Sequence, residues 1–94
     1  MPYYVYMMSN AHRTSLYTGV TADLGRRVEQ HRAAVKPSFT ERNQLYDLVY
    51  AEMHDELEAA RDREYRLKRW ARARKNKLVE SLNPDWRDLS GEWL

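Results

Sequence analysis

Apolar residues fall along the chain in short runs that predict three strands. A dense aromatic and aliphatic run from Tyr3 to Met8 is typical of a strand, and a shorter run covers Leu16 to Val20. The polar residues between these runs favour a turn, so the pair is predicted to form an antiparallel hairpin. A third run, from Leu45 to Met53, predicts the third strand.

Apolar residues at helical spacing predict three helices. The segment Thr21-Ala22-Asp23 supplies N-cap chemistry for a helix over residues 23–35. A longer helix is predicted from Asp55 to about Arg74, with acids in its first turn and bases in its last. A short helix over Asn76 to Leu82 follows. The order β-β-α-β-α-α predicts an α+β fold, with a small three-stranded, mainly antiparallel sheet flanked by helices.

The length of the chain limits its organisation. Its 94 residues are enough for one domain and too few for two. We therefore predict a single domain over residues 1–94, whose tail from residue 83 packs on the body through Trp86, Leu89 and Trp93. The polar segment Lys36 to Gln44, which contains Pro37, is predicted to be a loop basic enough to touch a substrate.

Composition excludes some kinds of site and compartment. The chain has no cysteine, so it forms neither a disulfide framework nor a thiolate metal site. No signal-peptide pattern is visible, and no apolar run approaches the roughly 20 residues that span a bilayer. These patterns predict a cytoplasmic protein without a membrane partner, as a monomer or weak dimer.

Two polar residues of the first helix lie on or beside its apolar face. With about 100° per residue, Arg27 and His31 fall near the stripe formed by Leu24 and Val28. An arginine and a histidine that lean inward together are unusual. The alternative is that the arginine stem packs while its charged head reaches water.

Glu64 breaks the pattern of the second long helix. It falls within the stripe formed by Leu57, Ala60, Leu67 and Ala71. A carboxylate there must be paired, protonated or bound to a metal, because burying it unpaired is costly. If Glu64 belongs to a functional site, it is the protein carboxylate that binds a hard cation such as Mg²⁺. The alternative is a salt bridge, for which Arg27 is a candidate partner.

Basic residues concentrate in one stretch of the chain. Nine of the 16 lysines and arginines fall between Arg61 and Lys77, where only Asp62 and Glu64 oppose them. Such a cluster of basic residues favours the binding of phosphate groups. The alternative is a solvated helix with charged faces.

These elements together resemble the GIY-YIG nucleases. Tyr4-Val5-Tyr6 corresponds to the GIY element and Tyr17-Thr18-Gly19 to the YIG element. The stretch from Leu16 to His31 resembles the family signature, in which the YIG element is followed by a helix start, an arginine and a histidine. Glu64 resembles the metal-binding glutamate of the family, and Asn83 resembles the polar residue that often closes the site.

The resemblance covers nearly the whole chain and has two departures. Tyr4 stands where the GIY element has glycine, a change also found in single-domain relatives. The chain also lacks a second DNA-binding domain, which argues against tight or sequence-specific binding. The resemblance to short, stand-alone bacterial members, relatives of the incision domain of excision repair, implies a role in DNA repair or recombination.

The resemblance implies hydrolysis of DNA phosphodiester bonds with Mg²⁺ or Mn²⁺, on duplex or branched DNA, with RNA left open. Glu64 is expected to hold the metal and Arg27 the scissile phosphate, while Tyr17 or Tyr6 takes a proton from water and His31 assists. The residues expected to be catalytic are Tyr6, Tyr17, Arg27, His31 and Glu64. Those expected to contact nucleic acid are Gly19, Lys68, Arg69, Arg72, Arg74, Lys75 and Asn83.

Two other functions are open at this stage. One is a nucleic-acid-binding module on the same fold without catalysis, although such a module does not need an inward-facing Glu64. The other is a protein-interaction domain that uses Trp70, Trp86 and Trp93 as an exposed patch.

Overall fold

The fold is built on a three-stranded antiparallel sheet. The structure is a computed structural model that describes residues 1–34 and 44–93. The strands are β1 (Tyr3–Ser9), β2 (Leu16–Thr21) and β3 (Asp47–His54), in the order β2-β1-β3. Both neighbouring pairs are antiparallel, so the predicted hairpin and the predicted sheet are confirmed.

Four helices accompany the sheet within the described residues. They are α1 (Leu24–Ala33), α2 (Leu57–Arg69), α3 (Arg72–Leu82) and the short α4 (Ser90–Trp93). Asp23 is the N-cap of α1, and its side chain accepts a hydrogen bond from the backbone N–H of Arg26. The predicted end of this helix at residue 35 lies outside the described residues, as does the predicted loop apart from Gln44.

The second helix ends earlier than the sequence predicts. It stops at Arg69 instead of Arg74, because Trp70 and Ala71 have extended backbone angles, with ψ of 147° and 151°. The guanidinium of Arg74 stacks over the Trp70 ring, with its Cζ 3.7 Å from the ring centroid. This contact joins α3 to the residue that follows α2 and so stabilises the break.

The sheet carries a hydrophobic cluster on each face. Alternate residues of β1 point to opposite faces. Val5 and Met7 pack beneath α2 with its Ala60 and Leu67. The opposite face of β1 packs against α1, and its cluster contains the side chains of Tyr6, Met8, Leu24, Val28, Leu48, Ala51 and Leu89.

A β-bulge at Val49 sets which residues of β3 face α2. Met7 pairs with Tyr50 and Met8 pairs with Leu48, so Val49 is left as the extra residue. Val49 and Tyr50 consequently belong to the same cluster, although they are adjacent in the chain. The alternation then places Glu52 on the α2 face as well.

The C-terminal tail lies against the α1 face. Leu89 is buried, and its backbone N–H donates to the carbonyl of Leu48 at 2.7 Å. The Trp93 ring packs edge-on against Tyr4, with centroids 5.9 Å apart. Within the described part of the chain, the helices are too short or too polar to cross a membrane.

Candidate active site

Three aromatic side chains from three elements meet on the α1 face. Tyr6 comes from β1, Tyr17 from β2 and His31 from α1. The hydroxyl of Tyr6 and Nε2 of His31 share a hydrogen bond of 3.1 Å. The Tyr17 ring lies edge-on to His31 at 5.1 Å and tilted to Tyr6 at 6.2 Å between centroids. The structure therefore brings together three of the five residues expected to be catalytic.

Strand register explains why both tyrosines face α1. Directly paired residues of an antiparallel ladder share a face. Tyr17 pairs with Met8 and Gly19 pairs with Tyr6, so Tyr17 and Gly19 lie on the face that carries Tyr6 and Met8. The two tyrosine motifs thus converge because the hairpin register aligns them.

Gly19 is needed for packing. A Cβ added at this position would lie 2.6 Å from the Tyr6 hydroxyl oxygen and within 2.8 Å of its ring. Gly19 is buried, and the space left by its absent side chain is filled by Tyr6. A direct contact of Gly19 with nucleic acid is therefore disfavoured, since Tyr6 fills the space beside it.

Arg27 joins the same cluster from α1. Burial raises the pKa of the Tyr6 phenol well above its usual value and the neighbouring Tyr17 adds to the rise, whereas Arg27 opposes it. Burial and the Arg27 guanidinium both lower the pKa of His31. His31 is consequently neutral near pH 7, because an unperturbed histidine already titrates at about 6.5.

The two tyrosines differ in access to solvent. Tyr6 is fully buried, whereas 37% of Tyr17 is exposed. A water molecule that attacks a phosphate must reach the group that takes its proton. Of the two, Tyr17 is the tyrosine that solvent can reach, and Tyr6 is placed to support it from beneath.

A polar groove runs beside Arg27. It has a volume of about 420 Å³. Its lining residues are Thr21, Ala22, Asp23, Arg26, Arg27 and Gln30. The groove follows the start of α1, so a ligand there meets two guanidinium side chains and the positive end of the helix.

Glu64 lies on the other face of the sheet. Its helix, α2, packs on the cluster that contains Val5 and Met7. The Glu64 side chain is 21% exposed, and its Oε2 is 3.4 Å from Nζ of Lys68 on the same helix. The alternative in which Arg27 is its salt-bridge partner is therefore wrong, because that partner is Lys68.

The geometry of α2 gives the direction of Glu64. With about 100° per residue and Ala60 at zero, Arg63 falls about 60° to one side and Glu64 about 40° to the other. Arg63 reaches Glu52 on β3. Glu64 consequently lies on the flank of α2 that faces away from β3, toward β2, the edge strand that carries Tyr17.

Several bases expected to contact nucleic acid are engaged within the protein. Arg72 donates to the carbonyls of Arg13 and Thr14 and to the Asn76 side chain, so it joins the hairpin turn to α3. Lys75 donates to the carbonyl of Lys68 at 3.4 Å. A direct role in binding phosphate is therefore disfavoured for Arg72 and Lys75.

The other three bases of this set remain at the surface. Lys68 is exposed beside Glu64, Arg69 stacks over the Tyr65 ring at 4.5 Å, and Arg74 stacks on Trp70. Stacked guanidinium groups keep donors that face outward. The break at Trp70 divides these bases between two helices, so they do not form one continuous helix face.

Asn83 is a structural residue. It is 2% exposed, and its Nδ2 donates to the carbonyls of Val49 and Arg87. Its Oδ1 accepts from the Arg87 backbone N–H. These bonds use the amide to fix the chain after α3 onto β3, so a direct contact of Asn83 with nucleic acid is disfavoured.

The tryptophans do not form an exposed patch. Trp70, Trp86 and Trp93 are each half-buried. Trp70 lies between the guanidinium groups of Arg63 and Arg74, and Trp86 donates from its indole N–H to Glu80. The surface required for the protein-interaction alternative is therefore not present on these residues.

Sequence reasoning missed a polar cluster on the α2 face. The Glu52 carboxylate accepts hydrogen bonds from the Tyr50 hydroxyl at 2.6 Å and from Nε of Arg63, and it pairs with Nε2 of His54. Burial would raise the pKa of Glu52, but these donors together lower it. The alternation of Tyr50, Glu52 and His54 along one strand was the available signal.

Comparison with known proteins decides the family. The family described as GIY-YIG catalytic domain matches residues 2–78. The chain belongs to the GIY-YIG family. The family is of the nuclease type, and its nucleases generally depend on a divalent metal. The resemblance drawn from the two tyrosine motifs is thereby confirmed.

The GIY-YIG relatives include stand-alone proteins of similar length. A UPF0213 protein of Natronomonas pharaonis is 40% identical over 82% of this chain and 89% of its own. A UPF0213 protein of Haloquadratum walsbyi is 37% identical over 83% of this chain and 86% of its own. The solution NMR structure of a UPF0213 protein from Bacillus halodurans, 28% identical, covers 94% of this chain and 93% of its own, with a TM-score of 0.60.

Proposed function

We propose that this protein is a divalent-metal-dependent nuclease that hydrolyses phosphodiester bonds in DNA. The observation that carries the proposal is the convergence of Tyr6, Tyr17, Arg27 and His31 on the α1 face of the sheet, beside an open groove. This combination supplies a solvent-accessible hydroxyl, a neutral proton acceptor and a fixed cation within one cluster. Those are the groups that hydrolysis of a phosphodiester needs.

Arg27 binds a non-bridging oxygen of the scissile phosphate. Its guanidinium stays charged at any accessible pH and offers donors in a planar fork that matches phosphate. It lines the groove and influences Tyr6 and His31 from the same position. A phosphate held there lies beside the aromatic cluster, with its negative charge offset by the guanidinium.

Tyr17 receives the proton of the attacking water at its hydroxyl oxygen. A free phenol has a pKa of about 10, so its anion is scarce at neutral pH. The Tyr17 hydroxyl can act while neutral if it gives up its own proton as it gains one. We assign the Tyr6 hydroxyl as the acceptor of the proton that Tyr17 gives up. Tyr6 in turn passes its own proton to Nε2 of His31 across their 3.1 Å hydrogen bond.

Glu64 suits a divalent cation by its chemistry. Mg²⁺ is commonly bound by one or two carboxylates, with waters and substrate phosphate completing its shell. Glu64 is partly accessible, and its partner Lys68 is half-exposed at 3.4 Å, so a cation can displace the lysine. Among the described residues no group of three or more histidine or acidic side chains forms a metal cluster. Bound there, Mg²⁺ or Mn²⁺ would neutralise charge on the phosphate.

The proposal extends to DNA as substrate and to repair or recombination as the process. The groove at Arg26 and Arg27 and the exposed Lys68, Arg69 and Arg74 suit a phosphate backbone rather than base edges. Such contacts position a nucleic acid without reading its sequence. A preference for branched or nicked DNA over intact duplex would support the role in repair.

The test is cleavage of labelled single-stranded, duplex and branched DNA, with RNA as a further substrate. Each reaction contains Mg²⁺, Mn²⁺ or a chelator. We expect metal-dependent cleavage that falls by about a hundredfold or more in Glu64→Ala, because the metal supplies several kcal/mol of transition-state stabilisation. DNA binding by this variant should be largely retained.

Glu58→Ala is the matched control, since Glu58 is an exposed glutamate of the same helix. It should cleave like the unmodified protein. Equal cleavage by Glu64→Ala and Glu58→Ala would contradict the role of Glu64. Binding without cleavage of any substrate, under either metal, would instead favour the non-catalytic nucleic-acid-binding module.

A further inference from the structure

The Glu52–Arg63 ion pair connects β3 to α2 at the residue before Glu64. Nε of Arg63 lies 3.2 and 3.1 Å from the two carboxylate oxygens of Glu52. The Glu52 side chain is only 18% exposed. Such a pair adds little net stability, because desolvation offsets its attraction, but it fixes geometry.

The packing of α2 leaves its rotation weakly determined. The helix fully buries two residues, Ala60 and Leu67. They are seven positions apart, so they fall within about 20° of each other around the helix axis. Two buried side chains on a single line fix the position and tilt of a helix more firmly than its rotation about that line. A contact off the line adds a direct constraint on the rotation.

Arg63 supplies this contact off the line. It lies on one side of the Ala60–Leu67 line and Glu64 lies on the other. A rotation of α2 by roughly 20° would move a group about 6 Å from the helix axis by about 2 Å. Displacements of that size are large for a catalytic group, since about 1 Å can cost about a hundredfold in rate.

We propose that Glu52 and Arg63 are positioning residues, whose ion pair sets the rotation of α2 and so directs Glu64 toward the β2 edge. This inference rests on the proposed function of Glu64 as the metal ligand. It assigns a role to two charged residues that touch neither substrate nor metal.

The surroundings of the pair hold it rigid. Tyr50 and His54 approach the Glu52 carboxylate from the same strand, so it is fixed on β3. Cζ of Arg63 lies 5.3 Å from the centroid of the Trp70 ring, so the ring also restricts the guanidinium. A rigid pair transmits the position of the strand to the helix, as an outer-shell partner does in known metal sites.

The experiment is a Mn²⁺ titration of ¹⁵N-labelled protein, followed by paramagnetic broadening of the amide signals around Glu64. It reports metal affinity without DNA or cleavage. We expect the Kd for Mn²⁺ to rise on the order of tenfold in Glu52→Gln. Arg63→Gln should show the same rise, and the double variant should show no more than either single one, because both members act as one unit.

Asp47→Asn is the matched control. It breaks the Arg13–Asp47 ion pair at the opposite end of β3, whose members are 29% and 22% exposed, compared with 30% and 18% for Arg63 and Glu52. It should leave the Kd for Mn²⁺ within about twofold. If Glu52→Gln does not fold, the double variant, which leaves no unpaired buried charge, serves in its place.

The outcomes separate this inference from the proposed function. If the unmodified protein binds Mn²⁺ beside Glu64 but the variants keep its Kd, the positioning role is overturned and the nuclease proposal stands. An equal loss of affinity in Asp47→Asn would likewise overturn it, since general destabilisation would then explain the effect. Failure of the unmodified protein to bind Mn²⁺ near Glu64 would overturn the metal role itself, and the positioning role with it.

Discussion

Each face of the sheet buries a tyrosine whose phenol has a raised pKa, but the two have different neighbours. On the α1 face, Tyr6 contacts a neutral histidine and is influenced by Arg27. On the α2 face, Tyr50 donates to the Glu52 carboxylate, which is also bound by Arg63. Burial is the largest cause of the rise for both tyrosines.

The difference lies in what remains available to a substrate. The hydroxyl of Tyr50 is committed to a carboxylate that is already paired, so its cluster is closed. Tyr6 contacts a proton acceptor and lies beneath the exposed Tyr17, next to the groove at Arg27. A raised pKa therefore does not by itself identify a catalytic tyrosine, and the neighbouring groups decide its role.

The largest expected contrast is between Tyr6→Phe and Tyr50→Phe. Tyr6→Phe should lower kcat for DNA cleavage by about a hundredfold, because the path from Tyr17 to His31 loses its middle hydroxyl. Tyr50→Phe should lower kcat far less, because Glu52 keeps its bonds to Arg63 and His54. It should lose about 1 kcal/mol of unfolding free energy, the contribution of one hydrogen bond. Cleavage kinetics and urea unfolding measure both. Equal loss of kcat in the two variants would remove the distinction.

A smaller effect is expected from Gly19→Ala. The added Cβ would meet the Tyr6 ring at 2.6–2.8 Å, so the ring or the strand must shift. We expect the unfolding free energy to fall by about 1–3 kcal/mol, as overpacking of a core does. Gly91→Ala is the control, because a Cβ there meets nothing within 4 Å. If both variants unfold at the same urea concentration, Tyr6 is not held against β2 as described.

The smallest expected effect is on the pH dependence of stability, to which His31 on the α1 face and Glu52 on the α2 face contribute at different pH. The pKa of His31 is lowered from 6.5 and that of Glu52 from 4.5, so the folded state binds these protons less readily than the unfolded state. Stability is therefore greatest above each unfolded value and falls as pH drops through the lowered folded value. The loss of stability caused by His31 begins below about pH 6.5, and the loss caused by Glu52 begins below about pH 4.5.

Unfolding free energy measured from pH 8 to pH 3 tests this separation. His31→Asn should flatten the plot of unfolding free energy against pH only in the window that begins below about pH 6.5. Glu52→Gln should flatten it only in the window below about pH 4.5. Flattening in the same window by both substitutions would show that the two faces do not titrate independently.

The sequence predicted the main elements of the fold because its periodicities are strong. The stripe formed by Leu24 and Val28 and the dense run of β1 each match one element. The break after α2 was not predictable, because neither Trp70 nor Ala71 is a helix breaker. The break is accompanied by the stacking of Arg74 on Trp70, a side-chain contact with no periodic signal, and the bulge at Val49 arises in pairing between distant residues.

The aromatic half of the site could be anticipated, but the partners of the charged residues could not. Motif and spacing select Tyr6, Tyr17 and His31, and the structure brings their side chains together. Arg72 and Asn83 looked like surface contacts, although both bind backbone carbonyls far along the chain. Side-chain bonds to distant backbone leave no periodic trace in a sequence.

The packing of Gly19 against Tyr6 also bears on how such chains can diverge. A side chain at position 19 is disfavoured while a tyrosine occupies position 6, because both need the same volume. A smaller residue at position 6 would relieve that conflict and leave a void that position 19 could fill. Among homologous sequences we therefore expect positions 6 and 19 to change together, and a substitution at only one of them to be rare. Sequences in which both have changed no longer use a tyrosine at position 6.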